Sequence, residues 1–175
     1  MQAAFFDIDG VLSIPCYLHA DGSFSAGFPV KQWEDYNRKC DDTYHYCKTP
    51  LIVKKILDQL KEHHIPCFVL SVEGVKEAEE NKRRFIRERY ADYFSDEDII
   101  IVAKKEDKIR YLTDFMTEHC FIPQDIYFLD DSFDLVLQAL DKGFYAKHIS
   151  EYLTAYEDAG NGVLQIHEPI LPYYV

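Results

Sequence analysis

Five short apolar runs constrain this chain more than any other feature: Ala3 to Ile8, Cys67 to Ser71, Ile99 to Ala103, Ile126 to Asp130 and Phe144 to Ile149. Each is unbroken rather than alternating and rich in Ile, Val, Phe and Tyr, the pattern of strands covered on both faces. Segments of helical spacing lie between them. Thr49-Pro50 offers an N-cap and a first-turn proline ahead of Val53, Ile56, Leu57 and Leu60 on one face. The stretch Glu73 to Tyr90 is highly charged, with Glu79–Arg83 and Glu80–Arg84 at i,i+4, and reads as a solvated helix. A third helix carries Ile109, Leu112 and Met116. A fourth runs from Ser132 through Leu135, Ala139 and Leu140 to a stop at Gly143. Strands alternating with helices predict a central parallel sheet with right-handed crossovers, an α/β, Rossmann-like three-layer fold. The 175 residues suffice for one such domain, residues 1–175, with a sizeable core.

One connection breaks the rhythm. From Val11 to Thr49 the chain is far longer than a strand-to-helix turn requires. Within it, Tyr17 to Phe24 predicts a β-hairpin turning at Asp21-Gly22, and the polar and aromatic stretch after Pro29, around Trp33, Tyr36, Tyr44 and Tyr46, reads as helical. Residues 13–48 are therefore expected to form a small cap after the first strand. Its aromatic residues would either pack as a satellite core or form a lid over a substrate. His19, in the hairpin, is a candidate for substrate contact. His63 and His64 read as surface residues at a helix end. Val163 to Ile166 has the composition of a short strand, and Pro169 and Pro172 suggest a surface-draped tail.

Composition narrows the class without naming it. The net charge of -12 repels phosphate backbones, so general nucleic-acid binding is disfavoured. No apolar run is long enough to cross a bilayer, and the N-terminus has no secretion-signal pattern. The cysteines at 16, 40, 47, 67 and 120 are odd in number and form no C-x-x-C pair. They read as reduced thiols in a cytoplasmic protein. Cys40, His45 and Cys47 argue only weakly for zinc, because no second ligand pair lies nearby.

The chemistry sits at the ends of the apolar runs. In an open parallel sheet, ligands bind beyond the carboxyl ends of the strands. The first run ends in Asp7-Ile8-Asp9-Gly10 and the second in Ser71; the third is followed by Lys104-Lys105, and the fourth ends in Asp130-Asp131-Ser132. Carboxylates crowded this way are costly without a cation, and hard oxygen ligands suit Mg²⁺. A cation, a lysine and a hydroxyl around a nucleophilic carboxylate would suit a transferring phosphoryl group.

These residues, in this order, resemble the motifs of the haloacid dehalogenase-like (HAD) superfamily over roughly Met1 to Ser150. Its D-x-D-G motif stands as Phe5-Phe6-Asp7-Ile8-Asp9-Gly10-Val11-Leu12. Its strand ending in Ser or Thr stands as Cys67 to Ser71, and its strand closing in two acids as Ile126 to Asp131. The resemblance implies that Asp7 attacks phosphorus to form an aspartyl-phosphate, and that Asp9 protonates the leaving oxygen and then activates water. Ser71 would hydrogen-bond a phosphoryl oxygen. The third-motif lysine, Lys104, Lys105 or Lys108 with Lys105 preferred, would offset charge on nucleophile and phosphate. Mg²⁺ would be held by Asp7, the backbone carbonyl of Asp9 and Asp131, with Asp130 binding through water or orienting the lysine. Asp134 is a candidate for a further acidic position. In that superfamily an aspartate at the place of Asp9 accompanies phosphatases and phosphomutases rather than dehalogenases.

The expectation is therefore a Mg²⁺-dependent phosphomonoesterase. Its partner would be a phosphorylated small molecule, such as a nucleotide or sugar phosphate, or a phosphorylated macromolecule that covers the open site itself. A phosphomutase and a catalytically idle binding module remain as alternatives.

Overall fold

The computed structural model describes residues 2–18, 22, 24–26, 42–74 and 76–154. Its framework is a parallel sheet of β1 (Ala3–Phe6), β4 (Cys67–Val72), β5 (Ile99–Val102), β6 (Ile126–Asp130) and β7 (Tyr145–His148), in the order β5-β4-β1-β6-β7. Among the described residues the α-helices are α1 (Leu51–Glu62), α2 (Lys76–Tyr90), α3 (Asp107–Glu118), α4 (Phe133–Asp141) and the short α5 (Glu151–Thr154). The order of elements is that of an α/β, Rossmann-like fold.

Alternation along each strand divides the core into two layers. Ala4, Phe6, Val69, Tyr127 and Leu129 face α1 and α2, meeting Val53, Ile56, Leu57, Leu60, Phe85, Ile86 and Tyr90. Ala3, Phe5, Leu70, Ile126 and Phe128 face the other way, onto Ile109 and Leu112 of α3 and Leu135, Val136 and Ala139 of α4. Both faces are covered, which is why the strand sequences do not alternate in polarity. Burial of each large apolar side chain contributes about 1.5–3 kcal/mol.

The direction of winding reverses at β1. The chain runs outward from β1 through β4 to β5, then returns to β6 on the opposite side of β1 and continues to β7. The cleft between the carboxyl ends of β4 and β6, with β1 at its floor, is thus the topological switch point.

Three local readings change in the structure. Helix α1 begins at Leu51, with Pro50 as an extended N-cap and no side-chain cap from Thr49; the residue before a proline is driven to extended backbone, so the helix starts late. Helix α2 is solvated on one side only. Its Ala78, Asn81, Lys82, Phe85, Ile86 and Tyr90 are buried, which sequence reading of its charge missed. Glu79 does pair with Arg83, at 3.0 Å, but Glu80 reaches Arg87, and Arg84 reaches Asp42 at 3.1 Å.

Of the insertion, β2 (Cys16–Leu18) and β3 (Phe24–Ala26) pair antiparallel, with Gly22 at φ +82° between them, as the hairpin reading expected. The strand bridge Ile14–Lys48 closes the base of the excursion. Tyr44 is buried in the main core against Phe85, 5.3 Å between ring centroids, rather than in a satellite cluster. The part of the expected helix around Trp33 and Tyr36, His19, Cys40 and the tail strand at Val163 lie outside the described residues, whereas Tyr44 and Tyr46, expected in the same helix, stand in a turn over 43–46. Cys16 and Cys47 are buried thiols, Cys67 half-buried and Cys120 exposed; none of the four is in a disulfide. Cys47 donates to the Thr43 carbonyl and His45 is exposed, so the described part of the zinc reading does not converge on a site. Among the described residues no helix is long and apolar enough to cross a membrane.

Candidate active site

Strand register places the chemical groups. Asp7 continues β1 through its amide, which donates to the Leu129 carbonyl of β6 at 3.0 Å. Its side chain has the parity of Ala3 and Phe5, toward the α3–α4 layer. Asp130, the last residue of β6, shares that parity with Ile126 and Phe128. Lys108 rises from the first turn of α3 into the same space. Its ammonium lies 2.8 Å from Asp7 Oδ1 and 2.8 Å from Asp130 Oδ2, and its side chain is 2% exposed. Asp130 Oδ1 accepts the Ser132 amide at 2.8 Å, so both oxygens of that carboxylate are committed. Asp7 Oδ1 is buried and in charge contact with Lys108, but without a well-directed hydrogen bond.

Asp131 completes a group of carboxylates. One oxygen from each of Asp7, Asp130 and Asp131 falls within a 4.8 Å cluster. Gly10 makes the approach possible: at φ +86° it allows the chain to turn, and a Cβ there would stand 2.3 Å from Asp131 Oδ2. His148 fixes the Asp131 backbone. Its Nε2 donates to the Asp131 carbonyl at 2.7 Å, while Nδ1 meets the Ser150 hydroxyl at 2.6 Å and the Ser150 amide at 3.2 Å.

Burial and the crowding of carboxylates raise the pKa of both Asp130 and Asp131. Burial, then Asp7, then Asp130 push the Asp131 carboxyl up to about 7, and solvent access at residue 131 moderates that push. Asp130 is raised by burial and by Asp7, against the lowering effect of Lys108. For Lys108, burial would lower the ammonium's pKa, but Asp7 and Asp130 outweigh it and the net direction is upward.

A second lysine enters from the opposite layer. Ser71 has the parity of Val69, toward α1 and α2, where Lys82 of α2 meets it at 3.1 Å. The Lys82 ammonium also lies 2.8 Å from Asp9 Oδ2 and donates to the Val72 carbonyl at 2.6 Å. Asp9 Oδ1 accepts the Tyr44 hydroxyl at 2.7 Å. Burial and then Asp9 drive the Tyr44 phenol well above its ordinary pKa, so it remains a donor.

No family model and no curated protein matches the chain. Solved structures do. A HAD hydrolase, family IA, variant 3, from Entamoeba histolytica has a TM-score of 0.58 at 14% identity, covering 90% of this chain and 87% of that one. A HAD family enzyme from Bacteroides thetaiotaomicron has a TM-score of 0.51 at 12% identity, covering 87% and 98%. The same enzyme, in complex with magnesium and inorganic phosphate, gives 0.50 at 10%, covering 85% and 93%. The fold is that of the HAD hydrolases.

On that HAD frame the sequence-derived residues divide. Asp7, Asp9, Ser71, Asp130 and Asp131 all stand around the switch point. Lys105 does not: it and Lys104 are exposed in the turn before α3, and the structure puts Lys108 against Asp7 and Asp130 instead. The reason is helical phase. Lys108 shares a face with buried Ile109 and Leu112, whereas Lys105 precedes the helix. Asp134 is exposed on the first turn of α4. Sequence reading missed Lys82, Tyr44 and His148. The spacing of Ala78, Phe85, Ile86 and Tyr90 marks a buried face of α2 that includes Lys82, and was a usable signal. Tyr44 and His148 had none.

Proposed function

We propose that the chain is a Mg²⁺-dependent phosphomonoester hydrolase that works through an aspartyl-phosphate on Asp7. One observation carries the reading: the buried Asp7 carboxylate stands at the switch point, with Lys108 at 2.8 Å from one oxygen and Asp130 and Asp131 beside it. A carboxylate so placed is a nucleophile whose charge is already partly offset.

The donor set fits Mg²⁺. Its groups are hard carboxylate oxygens, and the raised Asp131 carboxyl reflects a crowding that a cation would relieve. Asp7, Asp131 and the Asp9 carbonyl would hold the ion. Asp130, with both oxygens engaged, orients Lys108. When bound, the ion would neutralise charge on the phosphoryl oxygens.

This chain's own residues do the rest. An Asp7 oxygen attacks phosphorus while the ester P–O bond breaks, and Asp9, entering this step as the neutral carboxylic acid, supplies the proton that lets the alkoxide leave as an alcohol. Asp9 then takes a proton from water as the water oxygen attacks the phosphoryl group, releasing inorganic phosphate and restoring Asp7. Ser71 donates to a phosphoryl oxygen throughout, and Lys108 holds charge on the nucleophile side. Tyr44 and Lys82 fix the Asp9 carboxylate from two directions. The Bacteroides enzyme crystallised with magnesium and inorganic phosphate supports the choice of ion and substrate group. A phosphorylated small molecule, a nucleotide or sugar phosphate, is the substrate class proposed.

The test is a screen of nucleotides, sugar phosphates, phosphopeptides and aryl phosphates with and without Mg²⁺, with Asp7→Asn as the blank. Release of phosphate that needs both Mg²⁺ and Asp7 is the expected result. Wild type as inert as Asp7→Asn across all classes sinks the reading.

A further inference from the structure

Lys82 is a buried cation that the scheme above uses only to steady Asp9, yet its bonding reaches further. Its side chain is 6% exposed, deep in the layer beneath β4. An ammonium has three donors. Here they meet the Asp9 carboxylate at 2.8 Å, the Ser71 hydroxyl at 3.1 Å and the Val72 carbonyl at 2.6 Å. The Val72 contact ties the head to the backbone of β4, so the group is held to the strand that carries Ser71.

The consequence falls on Ser71. A serine hydroxyl has one hydrogen to donate and lone pairs to accept with. Lys82 can only donate, so it occupies a lone pair of Ser71 Oγ, and the hydroxyl hydrogen must be directed elsewhere. Ser71 is itself 1% exposed at the end of β4, beside the switch point. A hydroxyl left to rotate would share its time between donating and accepting. With a fixed ammonium at its acceptor side, its hydrogen is turned away from Lys82 and is available to a phosphoryl oxygen in the cleft. The ammonium also polarises the O–H and strengthens that bond.

We propose that Lys82 is a positioning residue of the phosphoryl site, acting through Ser71 by fixing its hydroxyl as a donor toward the transferred group. The proposal rests on the phosphatase reading. It separates two lysines with different tasks. Lys108, from the α3 side, meets the nucleophile; Lys82, from the α2 side, orients the hydroxyl and Asp9. An unpaired charge in this layer would be costly, which explains why the ammonium makes three contacts at once.

The test is a double-mutant cycle read by binding of inorganic phosphate in the presence of Mg²⁺, using wild type, Ser71→Ala, Lys82→Met and the double variant. Each single change is expected to weaken phosphate binding by about tenfold, the value of one hydrogen bond to a charged group. The double variant is expected to be no weaker than the poorer single, because Lys82 has nothing to orient once the hydroxyl is gone. Effects that multiply to about a hundredfold in the double variant would show that Lys82 acts independently of Ser71 and would overturn the proposal. Unchanged phosphate binding in Lys82→Met would overturn it too. Should Lys82→Met fold poorly because Asp9 is stranded, the same cycle in the Asp9→Asn background removes that charge and keeps the readout. A wild type that binds no phosphate with Mg²⁺ would bring down the phosphatase reading and this proposal together. A wild type that binds and turns over, with an additive cycle, would bring down this proposal alone.

Discussion

At the scale of single residues, the choice between Lys105 and Lys108 is decided by helical phase, and it makes an unequal pair of variants. Lys108→Met should lower kcat on any phosphomonoester by about 10²–10³-fold, the usual loss when a charge-stabilising donor is removed. Lys105→Met, in the exposed turn, should leave kcat within about twofold, on the general tolerance of exposed positions. Steady-state kinetics on one aryl phosphate settles both; equal losses would mean that Lys108 is only a structural counterion. Gly10 makes a second pair with Asp131. A methyl group at φ +86° costs about 1–2 kcal/mol in backbone energy alone, and it also collides with Asp131 Oδ2. Gly10→Ala should therefore lose stability and Mg²⁺ affinity together, measured by denaturant melts and metal titration. Gly22, with open space around it, should show the backbone cost without the metal effect.

At the scale of elements, each wall of the site comes from a different helix, and the returning limb of the insertion adds Tyr44. Its hydroxyl reaches Asp9, and Arg84 of α2 reaches Asp42 two residues before it. Tyr44→Phe frees one oxygen of Asp9, the proposed acid–base group. Turnover of alkyl phosphates, which need a protonated leaving group, should fall about tenfold more than turnover of an aryl phosphate with a good leaving group. Equal losses would point to Tyr44 as packing alone. Tyr90 of α2 donates to the Leu12 carbonyl at 2.5 Å, pinning the loop after the D-x-D-G segment, and Tyr90→Phe should destabilise by about 1–3 kcal/mol in a denaturant melt.

Elements were legible in the sequence to the extent that their own residues specified them. The β1 and β6 runs were readable because burial on both faces leaves no polar interruption. The α1 stripe was readable from Val53, Ile56, Leu57 and Leu60. Helix α2 was misread because Glu79, Arg83 and their neighbours outnumber the few apolar residues that set its buried face. Lys82 was lost with it, since only the sparse stripe of Ala78, Phe85, Ile86 and Tyr90 marks the face it shares. Tyr44 and His148 act through contacts made by distant segments, Tyr44 to Asp9 and His148 to Asp131, and such pairings exist only in the fold.

At the scale of the whole molecule, the carboxylate cluster links pH, metal and stability. The Asp131 carboxyl moves from an ordinary 3.8 to about 7 in the folded chain, and Asp130 moves in the same direction. Between those values the folded state holds protons that the unfolded chain has released, so stability of the metal-free protein falls as pH rises through that window. A bound metal would compete for the same oxygens and need them ionised. The melting temperature without Mg²⁺ should thus be higher near about pH 5 than near about pH 7.5, with the slope flattened in Asp131→Asn. Added Mg²⁺ should raise it at the higher pH and do little at the lower. A metal-free melting curve that rises across this range would contradict the crowding of the cluster.

The sheet order puts Asp7 at the floor of the cleft where β4 and β6 part, and the proposed mechanism makes that residue the covalent nucleophile. The direct measurement is acid quench of the Mg²⁺-loaded enzyme during turnover of its best phosphomonoester, followed by peptide mass analysis. One phosphoryl group is expected on the peptide carrying Asp7, lost on longer incubation and absent in Asp7→Asn. Sustained turnover through single-turnover and steady-state sampling, with Asp7 never phosphorylated, would contradict it.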